Sequence, residues 1–190
     1  MGTVRRMKTP EVAQAVRKLL RDHFPQTRFS VRSHVYSGGG SVDVDWVDGP
    51  TQDQVRAIIG HLEGVAFDGM RDLQYDLPPI ILDGEVVSTG CWVFTSRTMS
   101  ADHIRRSAKR VAEQYRVPEV EVIDRPWGGE VVFDPSHPRI GGDYLMYVVM
   151  RVAHECVGGM EWARCPACGG WRCEACNHEG WVQVPVEAGG

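Results

Sequence analysis

The sequence predicts an α+β protein: small mixed or antiparallel sheets covered by helices, with a compact cysteine module at the C-terminal end. Three observations predict it. Stretches with apolar residues at a helical period alternate with stretches of period two. Glycine-rich and Asp-Gly turns separate the short period-two runs. Finally, four cysteines fall between Cys165 and Cys176 with spacings x2, x4 and x2.

The elements follow in chain order. Thr9 is placed to N-cap a helix, with Pro10 and Glu11 in its first turn. Val12, Val16, Leu19 and Leu20 share its apolar face, and Arg17, Lys18 and Arg21 its polar one. Pro25 ends it. Phe29, Val31 and Val35 then alternate with Ser30, Arg32 and His34, and Val42, Val44 and Trp46 alternate with Asp43 and Asp45. These read as two half-buried strands joined through Ser37 and the three glycines. Pairing Tyr36 with Ser41 sets His34 opposite Asp43 and Arg32 opposite Asp45, so that both faces agree on one register. Thr51 and Gln54 open a second helix with Val55, Ile58, Ile59 and Leu62 on its core face; Gly64 stops it. "AFDGMRDLQYD" is a short strand or irregular segment turning at Asp68-Gly69, Pro78-Pro79 opens a linker, and Val86 to Phe94 reads as a strand. Ser100 caps a third helix with Ile104, Ala108, Val111, Ala112 and Tyr115 as its stripe, leaving Arg105, Arg106, Lys109 and Arg110 largely elsewhere. Short strands follow at 119–124 and 130–133. From Tyr144 to Glu155 the pattern does not separate strand from helix, and the β-branched content leans towards strand. The expected division is 1–97, 98–156 and 157–190.

Apolar residues make up 43% of the 190 positions, enough for a real core, and charged residues 24%. No apolar run is long enough to span a bilayer, and the N-terminus lacks the apolar run of a signal peptide. The expectation is a cytoplasmic protein without a membrane partner. The net charge of −4 is unevenly spread. Residues 1–35 hold eight Lys/Arg against two acids, and residues 36–90 hold ten acids against two Arg. Such asymmetry reads as self-complementarity within a domain, or as a basic face offered to nucleic acid or an acidic partner.

In a cytosolic setting, paired CxxC turns point to metal or redox work rather than disulfides. Each turn offers two thiolates from one tight bend, and two turns complete a tetrahedron for Zn2+: Cys165, Cys168, Cys173 and Cys176. His178 is an alternative fourth ligand in place of Cys176. An iron–sulfur cluster and a redox dithiol are rival readings of the same spacing. A filled four-ligand site has no open position for water, so the zinc is expected to be structural. Trp171 and Arg172 stand between the cysteine pairs, where an aromatic and a cation could meet an unpaired base or a partner protein. Trp162 and Trp181 flank the module and are expected to pack it onto the body.

The words "FSVRSHVYSGGGSVDVDWVDGPT", "QVRAII" and "FDGMRDL" resemble a numbered family of large polyvalent protein-associated domains over roughly residues 10–95. The resemblance implies an α+β domain of the kind carried by bacteriophage and conjugative-element proteins, which are thought to enter host cells with DNA. It implies no established reaction and no agreed active site.

Other constellations are weaker. Asp43, Asp45 and Asp48 could hold a hard cation and support a metal-dependent enzyme acting on nucleic acid or nucleotides. The cross-strand partners of Asp43 and Asp45 favour a solvated strand face instead. Cys91 and Cys156 read as buried structural thiols. His103, His137 and His154 have no partner at a diagnostic spacing, and no phosphate loop, dinucleotide fingerprint or serine elbow is present. The sequence therefore favours a non-enzymatic accessory protein of a phage or plasmid. It would bind nucleic acid or a host protein, with Arg105, Arg106 and Lys109 joining Trp171 and Arg172 as candidate contacts.

Overall fold

The computed structural model describes residues 4–158, 160–164, 167 and 181–185, with the backbone alone for 160–164, 181 and 185. The chain divides into two compact units: residues 1–46 with 52–97, and residues 47–51 with 98–190. The architecture is α+β, with four α-helices and small mixed or antiparallel sheets among the described residues.

The first unit begins with β1 (Arg5–Arg6) and α1 (Thr9–His23). Lys8, not Thr9, is the N-cap. The Glu11 carboxylate accepts the Lys8 backbone N–H at 2.6 Å, and the Thr9 hydroxyl lies where a Cβ on Gly40 would stand. Glu11 thus does the capping, and Thr9 packs against the sheet. The helix buries Val12, Ala13, Val16 and Leu20, an i, i+4, i+8 stripe.

That stripe packs in one core with the inward residues of a three-stranded sheet ordered β2 (Phe29–Tyr36), β3 (Gly39–Val47), β8 (Trp92–Thr98). The register of β2 and β3 departs from expectation by two residues. Tyr36 pairs with Gly39 across a two-residue turn at Ser37-Gly38, and Arg32 pairs with Asp43. Two glycines counted as turn therefore belong to the strand. They fit there because α1 approaches so closely at Gly40 that no side chain is tolerated. A shift of two keeps each face intact, so the expected charge pairs survive as diagonals. Arg32 meets Asp45 at 2.6 Å and His34 meets Asp43 at 3.2 Å.

α2 (Gln52–Ile59) and a 3₁₀ turn at Gly60–Leu62 add Val55, Ile59 and Leu62 to this core. The Asp68-Gly69 segment is a true hairpin of β4 (Val65–Asp68) and β5 (Leu73–Asp76). The run from Val86 to Phe94 is not one strand. β6 (Ile80–Leu82) and β7 (Glu85–Ser88) form a hairpin through Asp83-Gly84, both with positive φ, and β1 joins β7 in parallel. Thr89 to Cys91 then carries the chain across to β8 in the other sheet. Gly90, at φ 55, makes that bend possible.

The second unit is built on α3 (Ala101–Tyr115) and α4 (Leu145–Glu155), which share one core with Val120 and Val122. Ser100 caps α3, accepting the His103 N–H at 3.2 Å. The buried face of α3 departs from expectation: it includes His103, Ser107 and Arg110, while Tyr115 is exposed. Helix α4 settles the ambiguous segment against the strand lean. Leu145, Val148, Val149 and Val152 recur at i, i+3, i+4 and i+7 and are buried. Packing against α3 outweighs the modest helix penalty of the β-branched residues. The remaining elements are three hairpins: β9 (Val122–Arg125) with β10 (Gly128–Val131), β11 (Arg139–Ile140) with β12 (Asp143–Tyr144), and β13 (Met160–Arg164) with β14 (Trp181–Pro185). Among the described residues, no helix is long and apolar enough to cross a membrane.

Candidate nucleic-acid interface

The residues expected to carry function fall into three groups. Cys165, Cys168, Cys173, Cys176, His178, Trp171 and Arg172 lie outside the described residues. What the structure does describe is the frame around them. β13 and β14 pair over five residues, from Met160 with Pro185 to Arg164 with Trp181. The last pair stands one residue before Cys165, so the ladder closes the whole cysteine segment at its base. Trp162 pairs with Gln183 in the same ladder. The Gln183 side chain accepts the Val157 N–H at 2.9 Å and donates to the Glu155 carbonyl at 3.2 Å, which ties the hairpin to the end of α4.

The α3 cations form the second group. Arg105 is exposed, but its guanidinium donates to Asp102 at 2.7 Å and to the Val122 carbonyl at 3.0 Å, fastening β9 to the helix. Arg106 is half-buried and Arg110 buried. Lys109 alone of the three candidates is exposed and outside every ion pair among the described residues. Burial against the rest of the unit thus withdraws Arg110 and part of Arg106 from solvent, and Arg105 is committed to Asp102 and Val122.

The acidic strand is the third group. Asp43 and Asp45 face His34 and Arg32 as described. Asp48, at φ 52, is a brace within the second unit: one oxygen accepts the Ser100 N–H and the other the Ser100 hydroxyl, both at 2.8 Å. Among the described residues, no group of three or more His, Cys, Asp or Glu is placed to hold a metal ion. Cys91 and Cys156 are buried, as their apolar settings suggest. Burial, helped by the nearby Glu63 charge, pushes the Cys91 thiol up to about 11, away from nucleophilic use at neutral pH. His103, 1% exposed, places Nε2 2.8 Å from the Ala153 carbonyl and joins α3 to α4. His137 stays in its loop, 3.9 Å from Asp134.

A fourth group was not singled out from the sequence. The eight cations of residues 1–35 divide in two. Arg5, Lys18 and Arg32 pair with Glu85, Asp83 and Asp45 of the acidic middle segment. Arg6, Lys8, Arg17, Arg21 and Arg28 have no acid within ion-pair distance among the described residues. Two of these five stand one helical turn apart on α1 and line a groove of about 190 Å³. Its walls are Arg17 and Arg21 with Phe24, Pro25, Thr27 and Phe29. The two phenylalanine rings lie 6.1 Å apart, and Phe29 continues onto Trp46 at 5.5 Å. Arg17 spends one N–H on the Val31 carbonyl at 2.6 Å, which holds its fork at the groove. No acid lines it. The signal in the sequence was the i, i+4 arginine pair followed by two phenylalanines five apart, split by Pro25; only the turn after α1 brings them together.

Residues 7–111 match the family described as large polyvalent protein associated domain 29. The chain belongs to this family. No curated protein and no solved structure matches it. The polyvalent-protein domain reaches further than the quoted words. It starts at Met7, just after β1, takes in the other strands and the helices of the first unit, and runs through Val111 in α3. The Asp48–Ser100 brace lies inside it. The hairpin that frames the cysteines lies beyond it.

Proposed function

We propose that this polyvalent-protein domain chain is an accessory binding protein of a phage or other mobile element, and that it holds single-stranded nucleic acid. Family membership supports the mobile-element role. The observation that carries the nucleic-acid reading is the groove at the end of α1. Among the described residues, two arginines without an acidic partner border two aromatic rings, in a wall that holds no carboxylate. Guanidinium groups take phosphate oxygens, and aromatic faces stack unpaired bases without regard to sequence.

A structural zinc in the C-terminal hairpin belongs to the same reading. A two-stranded hairpin is marginal by itself, and here a long segment must be closed at its tip. Cys165, Cys168, Cys173 and Cys176, or His178 in place of Cys176, are the ligands that would hold the ion. The metal would supply cross-linking, so that its binding free energy becomes folding free energy of the tail. Trp171 and Arg172, between the cysteine pairs, would then be a second contact for a base and a phosphate.

The test is equilibrium binding of a fluorescent single-stranded oligonucleotide across a salt series. Wild type is expected to bind with affinity that falls steeply with salt. The double variant Arg17→Gln, Arg21→Gln should bind at least tenfold more weakly, with a salt slope shallower by about 1.4 for two lost phosphate contacts. Binding unchanged in the double variant would remove the groove from the reading. No binding of single-stranded DNA or RNA by wild type would point to a protein partner instead.

A further inference from the structure

The other end of α1 carries a second cationic cavity, independent of the groove. It has a volume of about 520 Å³, within the size range of small-ligand sites. Its walls are Arg6, Met7, Lys8, Thr9, Pro10, Val35, Gly39, Thr89 and Gly90. We propose that it binds the phosphate group of an organic phosphate, with the ligand's body against Met7, Pro10 and Val35.

Four observations converge on that ligand class. First, among the described residues the wall holds two cations and no acid. Neither Arg6 nor Lys8 has an ion pair among the described residues, although the acidic segment of the same unit neutralises Arg5 and Lys18. Glu11, one turn into the helix, is occupied: its two oxygens take the Arg5 guanidinium at 3.1 Å and the Lys8 N–H at 2.6 Å. Those bonds hold its carboxyl below the usual range, so it stays an anion bound to its own partners.

Second, Arg6 is held rather than dangling. The parallel pairing of Arg6 with Ser88 and the Met7 N–H to the Ser88 carbonyl, at 2.9 Å, pin its backbone. Its guanidinium lies over Gly90, where a Cβ would stand 2.8 Å from Nη2. A planar fork set on a glycine floor suits the oxygens of a phosphate.

Third, Thr89 lines the cavity beside Gly90 and adds a hydroxyl to its wall, a group that can donate to a phosphate oxygen. Fourth, the first turn of the fifteen-residue α1 opens here, and its field favours a negative charge.

A phosphate in this place has two sources: a free nucleotide, or the terminal phosphate of a nucleic-acid strand. The experiment follows amide chemical shifts of the full chain during titration with inorganic phosphate, with adenosine monophosphate, and with one oligonucleotide carrying either a 5′-phosphate or a 5′-hydroxyl. Shifts are expected at Arg6 to Thr9, Thr89 and Gly90. Arg6→Gln with Lys8→Gln should weaken adenosine monophosphate at least tenfold without lowering the melting temperature, and Thr89→Val should weaken it severalfold. Arg17→Gln with Arg21→Gln should leave it unchanged, which separates this site from the groove. A preference for the 5′-phosphorylated strand over its hydroxyl twin assigns the strand end; equal binding of the two strands, with nucleotide still bound, assigns the free nucleotide. The proposal is overturned if neither phosphate nor nucleotide shifts those amides at millimolar concentration, or if the Arg6/Lys8 double variant binds as wild type does.

Discussion

Asp48 shows how one side chain changes meaning between sequence and structure. In the sequence it follows Asp43 and Asp45 and looks like the third member of an acidic set. In the fold it sits at φ 52, where Asp and Asn are among the few tolerated non-glycine residues, and both its oxygens accept from Ser100. It therefore fixes the residue that caps α3. Asp48→Ala should lose both bonds, leave the Ser100 donors short of a partner, and add strain at positive φ. The expected cost is about 2–3 kcal/mol, read by urea unfolding. Asp48→Asn, which keeps one acceptor and the backbone preference, should cost clearly less. The residue scale also holds what the sequence read well. The buried settings of Cys91 and Cys156 followed from their apolar neighbours, and Ser100 announced the start of α3 through its own side chain.

At the scale of elements, local rules succeeded where an element answers to its own residues and failed where a neighbour decides. Helices α1, α2 and α3 were legible because their apolar stripes have the helical period. Helix α4 was not, since Val148, Val149 and Val152 satisfy a strand's preferences as well as a helix's face. The β2–β3 register slipped by two because no local rule says that Gly39 and Gly40 belong to the strand; the close approach of Thr9 to Gly40 says so. The same physics governs the β9–β10 hairpin. A Cβ at Gly129 would stand 2.6 Å from the Ala101 Cα and 2.7 Å from the Ile104 Cδ1, and the Gly129 N–H donates to the Met99 carbonyl at 2.8 Å. Gly129→Ala should force the hairpin off the start of α3 and lower stability by about 1–3 kcal/mol in thermal unfolding. An unchanged melting temperature would show that the hairpin can shift at no cost.

At the scale of the whole molecule, the basic start and the acidic middle of the chain turn out to be both complementary and unequal. Three cations of the first 35 residues are neutralised by that middle segment; among the described residues five are left without an acid, Arg6 and Lys8 at one end of α1, Arg17 and Arg21 at the other, and the exposed Arg28 beyond Pro25. This residue of uncompensated charge, not the total of −4, is what an anionic partner would meet. The C-terminal hairpin is the other feature set at this scale. If zinc closes the segment between Arg164 and Trp181, purified protein should contain about one zinc per chain. Chelation should then expose the Cys165 and Cys168 thiols to alkylation while the far-ultraviolet signal of the helices persists. Metal-free protein whose thiols are equally protected would exclude the zinc.

The sequence by itself determined the α+β class, three of the helices, the faces of β2 and β3, the family of the first half and the cysteine spacing. Each of these rests on covalent spacing: a period, a turn residue, or ligands a fixed number of bonds apart. The tertiary structure decided which charges remain uncompensated, which arginines meet which rings, and that Asp48 braces a helix cap. Those outcomes depend on residues far apart in the chain being brought within a few ångströms. An ion pair or a buried hydroxyl has its energy only in the distance to its partner, and that distance is a property of the packed fold rather than of either residue.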